Sequence, residues 1–333
     1  MSVRILALLI VVLGLSPGTW WRTVPDTPGK QSEIRVTNLP LPSAQVLAPH
    51  LGAFDLENVW QLESKGRRFG SYSALLAIDD SELLAFSDFG FSLRVSLPDP
   101  AQHEPRRTRV FSPLYKGKAR RDVEAATFEP STSTVWLALE NINAIVRFAY
   151  RDGRFAINGV AAPPELARWS GNSGPESLLR LTDGRFIVLR ESFVALSNSG
   201  QHEALLFGMD PVEDRVAQLF TLAGPAGFSP TDAAMLPDGR VLVLFRKLAW
   251  PLPARFSGRI AIGDPEDIEP GKTWRVREVA KLSSTLPVDN FEGMAVQPRA
   301  DGWISVWLIS DGNNSIFQRT LLWKMAVDPA ELR

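Results

Sequence analysis

Glu292 heads the apolar run of DNFEGMAV (residues 289–296), where burial of a carboxylate is unfavourable unless a cation or several donors meet it. It is one of a set. Glu124, Glu176 and Asp232 stand at the head of comparable runs, and Asp88, Glu140, Glu191 and Asp311 stand at the end of the run that follows each turn. Ser73 and Lys247 are the two exceptions to this acidic pattern. Arg190 and Arg246 lie at strand ends, and Arg120 and Arg121 just before the second window. Carboxylates gathered in one place suit a hard cation such as Ca2+, which takes about six to eight oxygen ligands. A metal held by acids beside arginines is in turn a place for a phosphate group. On this reading Glu124, Glu176 and Glu292 are the candidate metal ligands. Glu176 or Glu292 orients water, and Arg246 stabilises charge in the transition state. Asp88, Glu124, Glu140, Arg190, Glu191, Asp232 and Asp311 complete a ligand pocket. The plainer alternative is that these acids only accept backbone N–H groups and tie neighbouring strands together.

Whether such distant residues meet depends on the elements that carry them. Five windows share one form: Ser73–Asp88, Glu124–Glu140, Glu176–Glu191, Asp232–Lys247 and Glu292–Asp311. Each holds a polar residue, a short apolar run, a tight turn, a β-rich run and a polar residue. They begin 51 to 60 residues apart. Asp183-Gly184, Asp238-Gly239 and Asp301-Gly302 fall between two apolar runs, the strongest short-range signal for a hairpin. The second runs, FIVLR, VLVLF and SVWLI, are apolar on both faces and so predict packing on both sides. Weaker strand candidates follow, such as 144–150 with 154–160 and 203–208 with 216–221. Repeated four-stranded units with both faces covered describe an all-β protein, a β-propeller. Five repeats are counted, which leaves five to six blades. Residues 319–327 supply a third strand to the last blade and 57–64 its fourth, closing the ring with an N-terminal strand. A solenoid and a sandwich are the competing architectures. In an antiparallel hairpin the head of one strand and the end of the next share an edge, so the acids converge on one face of the disc.

The remaining chain sets limits. Of 333 residues, 45% are hydrophobic and 22% charged, and the net charge is −1. That balance provides a core and no field for nucleic acid. With no cysteine, disulfides, thiolate sites and a Cys nucleophile are excluded. His50, His103 and His202 lie outside the windows, and no G-x-S-x-G elbow is present, which disfavours a Ser-His-Asp hydrolase. Residues 1–18 carry Arg4, an apolar run from Ile5 to Leu15 and a Ser-Pro-Gly break. A run of that length suits a signal peptide, with an uncleaved N-terminal anchor as the alternative. The expectation is an exported protein, periplasmic or anchored facing the periplasm, touching membrane only through that segment. Residues 19–53 read as an irregular linker and 54–328 as the propeller domain.

The motifs DVEAATFEPSTSTVWLALENINAIVRF, GPESLLRLTDGRFIVLRES, LPDGRVLVLFRK and DNFEGMAVQPRADGWISVWLISDGNNSIFQRTLLWKMAV resemble the bacterial phytase-like family, also named "esterase-like activity of phytase". The resemblance covers about 55–327. It implies an exported β-propeller that hydrolyses phosphate or other esters. By position the family's acidic pattern falls on Glu124, Glu140, Glu176, Glu191, Glu292 and Asp311, with Arg246 as basic partner. Three departures stand out: Ser73 at the head of the first window, Ala125 in place of a Gly, and Gly312 where a second Asp is common. The last weakens a metal site at that point. Two functions are carried forward, a metal-assisted hydrolase of small-molecule phosphate or carboxylate esters and a non-catalytic propeller that binds a ligand or protein through the same face.

Overall fold

The computed structural model describes residues 32–66, 68–111, 122–169, 174–191, 199–251, 254–283, 285–313, 315 and 317–332. The expected signal peptide or anchor at 1–18 lies outside them, as do Arg120 and Arg121. No described helix is long and apolar enough to cross a membrane.

Five antiparallel sheets follow the five windows. The first blade is β3 (Tyr72–Asp79), β4 (Glu82–Ser87), β5 (Phe91–Ser96) and β6 (Arg106–Arg109), and it comes after β1 (Ile34–Asn38), α1 (Ala44–Leu51) and β2 (Asp55–Ser64). The second is β7 (Val123–Glu129), β8 (Thr134–Leu139), β9 (Ala144–Arg151) and β10 (Arg154–Ala161). The third is β11 (Pro175–Arg180), β12 (Phe186–Arg190), β13 (Gln201–Phe207) and β14 (Ala217–Ala223). The fourth contains β15 (Ser229–Met235), β16 (Val241–Pro251), β17 (Ala254–Gly263) and β19 (Arg277–Leu282). Between its last two strands, β18 (Thr273–Arg275) crosses to pair in parallel with β14. The fifth is β20 (Asn290–Pro298), β21 (Ile304–Asp311) and β22 (Thr320–Val327), completed by β2 and then β1 from the other end of the chain. The fold is therefore a five-bladed propeller, and the expected closure by 57–64 is made by β2.

The Asp-Gly turns behave as the sequence predicts. Gly184, Gly239 and Gly302 adopt φ of +91°, +91° and +86°, a region that Gly enters without a Cβ clash. Apolar residues on both faces of the second strands pack between blades. Leu242 and Leu244 of the fourth blade meet Val306 and Leu308 of the fifth, and Trp307 and Ile309 of the fifth meet Leu83 and Ala85 of the first. The other three blade junctions hold similar clusters, so the core is a ring of five apolar layers. Each fully buried Val, Leu or Ile side chain contributes about 1.5–3 kcal/mol.

Within the segment 19–53, read from sequence as irregular, the structure places β1 and α1. Ile34 and Val36 of β1 join the layer around Trp60 and Leu62, while Leu51 of α1 is buried against the fourth and fifth blades. Each element offers only two or three apolar anchors, too few for a visible period.

Every innermost strand carries a bulge near its start. The register skips Ser73, Glu124, Glu176, Thr231 and Glu292 in the five blades. A bulge leaves one residue outside the ladder and re-aims its side chain. Beside the last of these, Gly293 allows β20 to press on β3: a Cβ there would lie 2.9 Å from the backbone nitrogen of Leu75 and from the carbonyl carbon of Ala74. Gly293→Ala is expected to cost about 1–3 kcal/mol through this backbone clash. A urea unfolding midpoint equal to that of the parent would contradict such close packing.

Candidate functional site

Three of the bulged residues, Glu124, Glu176 and Glu292, line one cavity of about 570 Å³. Asp88, Glu140, Glu191 and Asp311, from the ends of the second strands, line it too, with Asp122, Asn141, Asn313 and Arg246. Eight carboxylates and one guanidinium thus share a single opening, and sequence positions up to 223 residues apart are brought together. The mouth holds its acids in two ways. On one side Arg246 donates through Nη1 to Glu292 Oε1 and to Asn290 Oδ1 (2.8 Å), and through Nη2 to Glu191 Oε1 at 2.9 Å. Asn290, only 1% exposed, closes the triangle by donating to Glu292 Oε1 at 2.7 Å. On the other side Asp122, Glu124 and Glu140 each offer an oxygen within 4.8 Å of the other two, and Asn141 donates to Asp122. Glu176 lies between, buried, with no hydrogen bond to its carboxylate among the described residues. At the rim Ser73 donates to Asp88 (2.8 Å), and the Asn313 N–H donates to Asp311 (2.6 Å).

Residues 67–314, about three quarters of the chain, match the phytase-like family, described as "Esterase-like activity of phytase". The chain belongs to that family. None of the curated proteins compared with it matches. Among solved structures it is similar to a luciferin-regenerating enzyme, at 10% identity and TM-score 0.43 over 77% of this chain and 92% of that one. It is also similar to the PQQ-bound aldose sugar dehydrogenase of Streptomyces coelicolor, at 10% identity and TM-score 0.40 over 89% and 99%. A third likeness is to hydrazine synthase of Kuenenia stuttgartiensis, at 12% identity and TM-score 0.37 over 73% of this chain; only 57% of that chain is spanned.

In this phytase-like propeller, two of the residues expected at the mouth lie elsewhere. Asp232 follows the bulge at Thr231 instead of occupying it, and the one-residue offset turns its side chain away from the opening. It is buried and accepts N–H groups from Ala233 (2.8 Å), from Met294 of the fifth blade (2.7 Å) and from Leu75 of the first. Asp232 is a tie between blades, as the plainer reading of the acids had it. Arg190 is the last residue of β12, one before Glu191, and so points to the other side. It pairs with Glu203 and lies 5.6 Å over the Trp169 ring. Lys247 is exposed above Phe228. Asp122 is the acid that sequence reasoning missed. The signal was the Asp-x-Glu spacing of 122 and 124, which sets two acids on one face of an extended chain. None of the three histidines lines the cavity.

Burial governs the electrostatics. It pushes Glu124 far above the usual carboxylate range, with Asp88, Glu176 and Glu292 adding repulsion. Glu176 is raised by burial and then by Glu191, against the pull of Arg246. Asp311 is raised by burial, Glu292 and Asp88. Glu292 is raised less, to about 7, because Arg246 and Asn290 offset part of its burial. Burial opposes the charge on Arg246, yet Glu292, Glu191 and Glu176 hold it firmly as a cation.

The donors suit a hard divalent ion. They are all oxygens, and the Asp122, Glu124 and Glu140 group has the closeness that one ion requires. Of the three ligands expected from sequence, Glu124 belongs to this group, while Glu176 and Glu292 lie on the same cavity outside it.

Proposed function

We propose that this cavity hydrolyses phosphate esters or related esters with the help of a divalent cation, Ca2+ by its oxygen-only donors, in a protein exported by residues 1–18. The observation that carries the reading is the gathering of eight acids and one buried arginine on a single opening. Asp122, Glu124 and Glu140 would hold the ion, which when bound supplies positive charge for an anionic ester oxygen.

The protein's own residues divide the proton work. Two nearby carboxyl groups with different environments are assigned different roles. Glu292, fixed through Oε1 by two donors, is the more readily ionised and accepts the proton of the attacking water. Glu176, which has no donor among the described residues and is raised by burial, gives its proton to the departing ester oxygen. The water oxygen bonds to the phosphorus or acyl carbon, the ester bond to that atom breaks, and the alcohol leaves neutral. Arg246 keeps Glu191 and Glu292 in position, and its charge offsets that of the ester.

The test is a screen of purified protein against phosphomonoesters and carboxylate esters, with Ca2+ and with EDTA. Turnover is expected only with the ion, and Glu292→Gln should lower it by about a hundredfold or more with unchanged circular dichroism. No turnover with any ester or divalent ion would leave the same face as a ligand-binding surface.

A further inference from the structure

A second cavity, about 740 Å³, opens between the fifth blade and the chain that enters the first. Leu62 and Phe69 give it apolar surface, and Glu33, Arg35, Glu63 and Lys65 are exposed at its edge, two charges of each sign. Its relation to the acidic mouth is direct. Gly312 lines this cavity, while its two neighbours in the chain, Asp311 and Asn313, line the acidic one. The turn after β21 is therefore a wall with one cavity on each side. The wall is thin because Gly312 packs on Thr320, where a Cβ would come within 2.9 Å of the hydroxyl oxygen.

Gln318 also lines the cavity. Only 4% of it is exposed, and its amide has no hydrogen-bond partner among the described residues. Its amide atoms are not among the fully enclosed unpartnered ones, so they face the cavity. A ligand that brings both a donor and an acceptor can pair with them there. Volume and lining are those of a site for a drug-sized organic group with apolar surface and a few fixed polar contacts.

We propose that this cavity binds the non-reacting part of the ester, and that the substrate class is esters with a bulky, partly apolar group bearing an amide or a similar donor–acceptor pair. The assignment of that group to an ester rests on the hydrolase reading; the assignment of a ligand to the cavity does not. The Gln318 amide pairs with the polar function, Leu62 and Phe69 cover the apolar portion, and the reacting bond reaches across the 311–313 turn to Glu176 and Glu292.

The experiment has two arms, both on the full chain. In the first, binding of acetanilide and of a panel of aryl and alkyl amides is followed by saturation-transfer NMR. At least one member is expected to bind, and Gln318→Leu should weaken it by about tenfold through the lost hydrogen bonds. No binding by any member, or binding equal in the variant, overturns the proposal. In the second arm, methyl phosphate and 4-acetamidophenyl phosphate are compared in Ca2+. The larger ester is expected to show the lower KM, and Gln318→Leu should raise that KM alone, with kcat unchanged. A KM that rises equally for both esters overturns the assignment. Amide binding that Gln318→Leu removes, together with no hydrolysis of either ester, keeps the ligand site and overturns the hydrolase reading.

Discussion

Arg246→Met is expected to lower stability by about 3–5 kcal/mol at pH 8 in EDTA, the usual effect of removing one partner from a buried ion pair. Much of a typical domain's 5–15 kcal/mol is of that size, so about half of the margin disappears. The reason lies in the geometry of the mouth. One guanidinium serves Glu191, Glu292 and Asn290 at once, and without it two carboxylates face each other across a buried space. Methionine fills the volume and leaves the charges unmet. Part of the loss should return at pH 5, where the acids take up protons. Arg246→Lys should fall between, because an ammonium cannot reproduce a planar fork that bonds on two sides. Urea unfolding of the three proteins at pH 5 and pH 8 decides it. Equal midpoints for parent and Met variant at pH 8 would mean that the acids are neutralised by something else.

In metal-free buffer the stability that Glu292 contributes, read as the difference between the parent and Glu292→Gln, should fall as pH rises from about 4.5 through about 7; His202, whose buried ring is lowered to about 4, acts in the opposite sense on both proteins. Glu292 titrates near 4.5 when exposed and near 7 when folded. The folded state therefore keeps a proton that the unfolded chain releases. Its stabilising contribution is complete below the lower value and gone above the higher one, on the order of 3 kcal/mol for this residue. Glu124, Glu176 and Asp311 are raised in the same direction, so they act in the same sense. Excess Ca2+ should flatten the curve, since an ion held by the ionised acids stabilises the form they prefer at high pH. Thermal midpoints of both proteins between pH 5 and 9, with EDTA and with Ca2+, provide the measurement. A metal-free difference between parent and Glu292→Gln that climbs across this interval would contradict the burial of Glu292.

The propeller was legible because its signals are local and repeated. An Asp-Gly pair between apolar runs needs no knowledge of the rest of the chain, and five copies of one form define the ring. Closure was legible too, because the last unit lacks a strand and ENVWQLES, which falls within β2, supplies one. The acidic mouth was legible for Asp88, Glu124, Glu140, Glu176, Glu191, Glu292 and Asp311. It failed at Asp232 for a definite reason. Side-chain direction in a strand depends on counting residues, and a bulge adds one residue that leaves no mark on composition. In the fourth blade the bulge falls on Thr231, so the acid beside it serves the backbone of two other blades. Arg190 failed similarly, as one of two neighbouring polar residues that point to opposite sides. The cross-blade strand β18 is three residues long, and no pattern of that length separates it from a loop.

Because β2 is joined to β22, the first and last parts of the sheet framework lie side by side, and the blade they complete carries Glu292 and Asp311. During synthesis four of the five wedges can emerge and stack before the fifth exists. The acidic mouth is thus completed only when β22 reaches back to β2. A fragment that stops short of residue 320 holds every acid named above and still lacks the seam that keeps them in one circle.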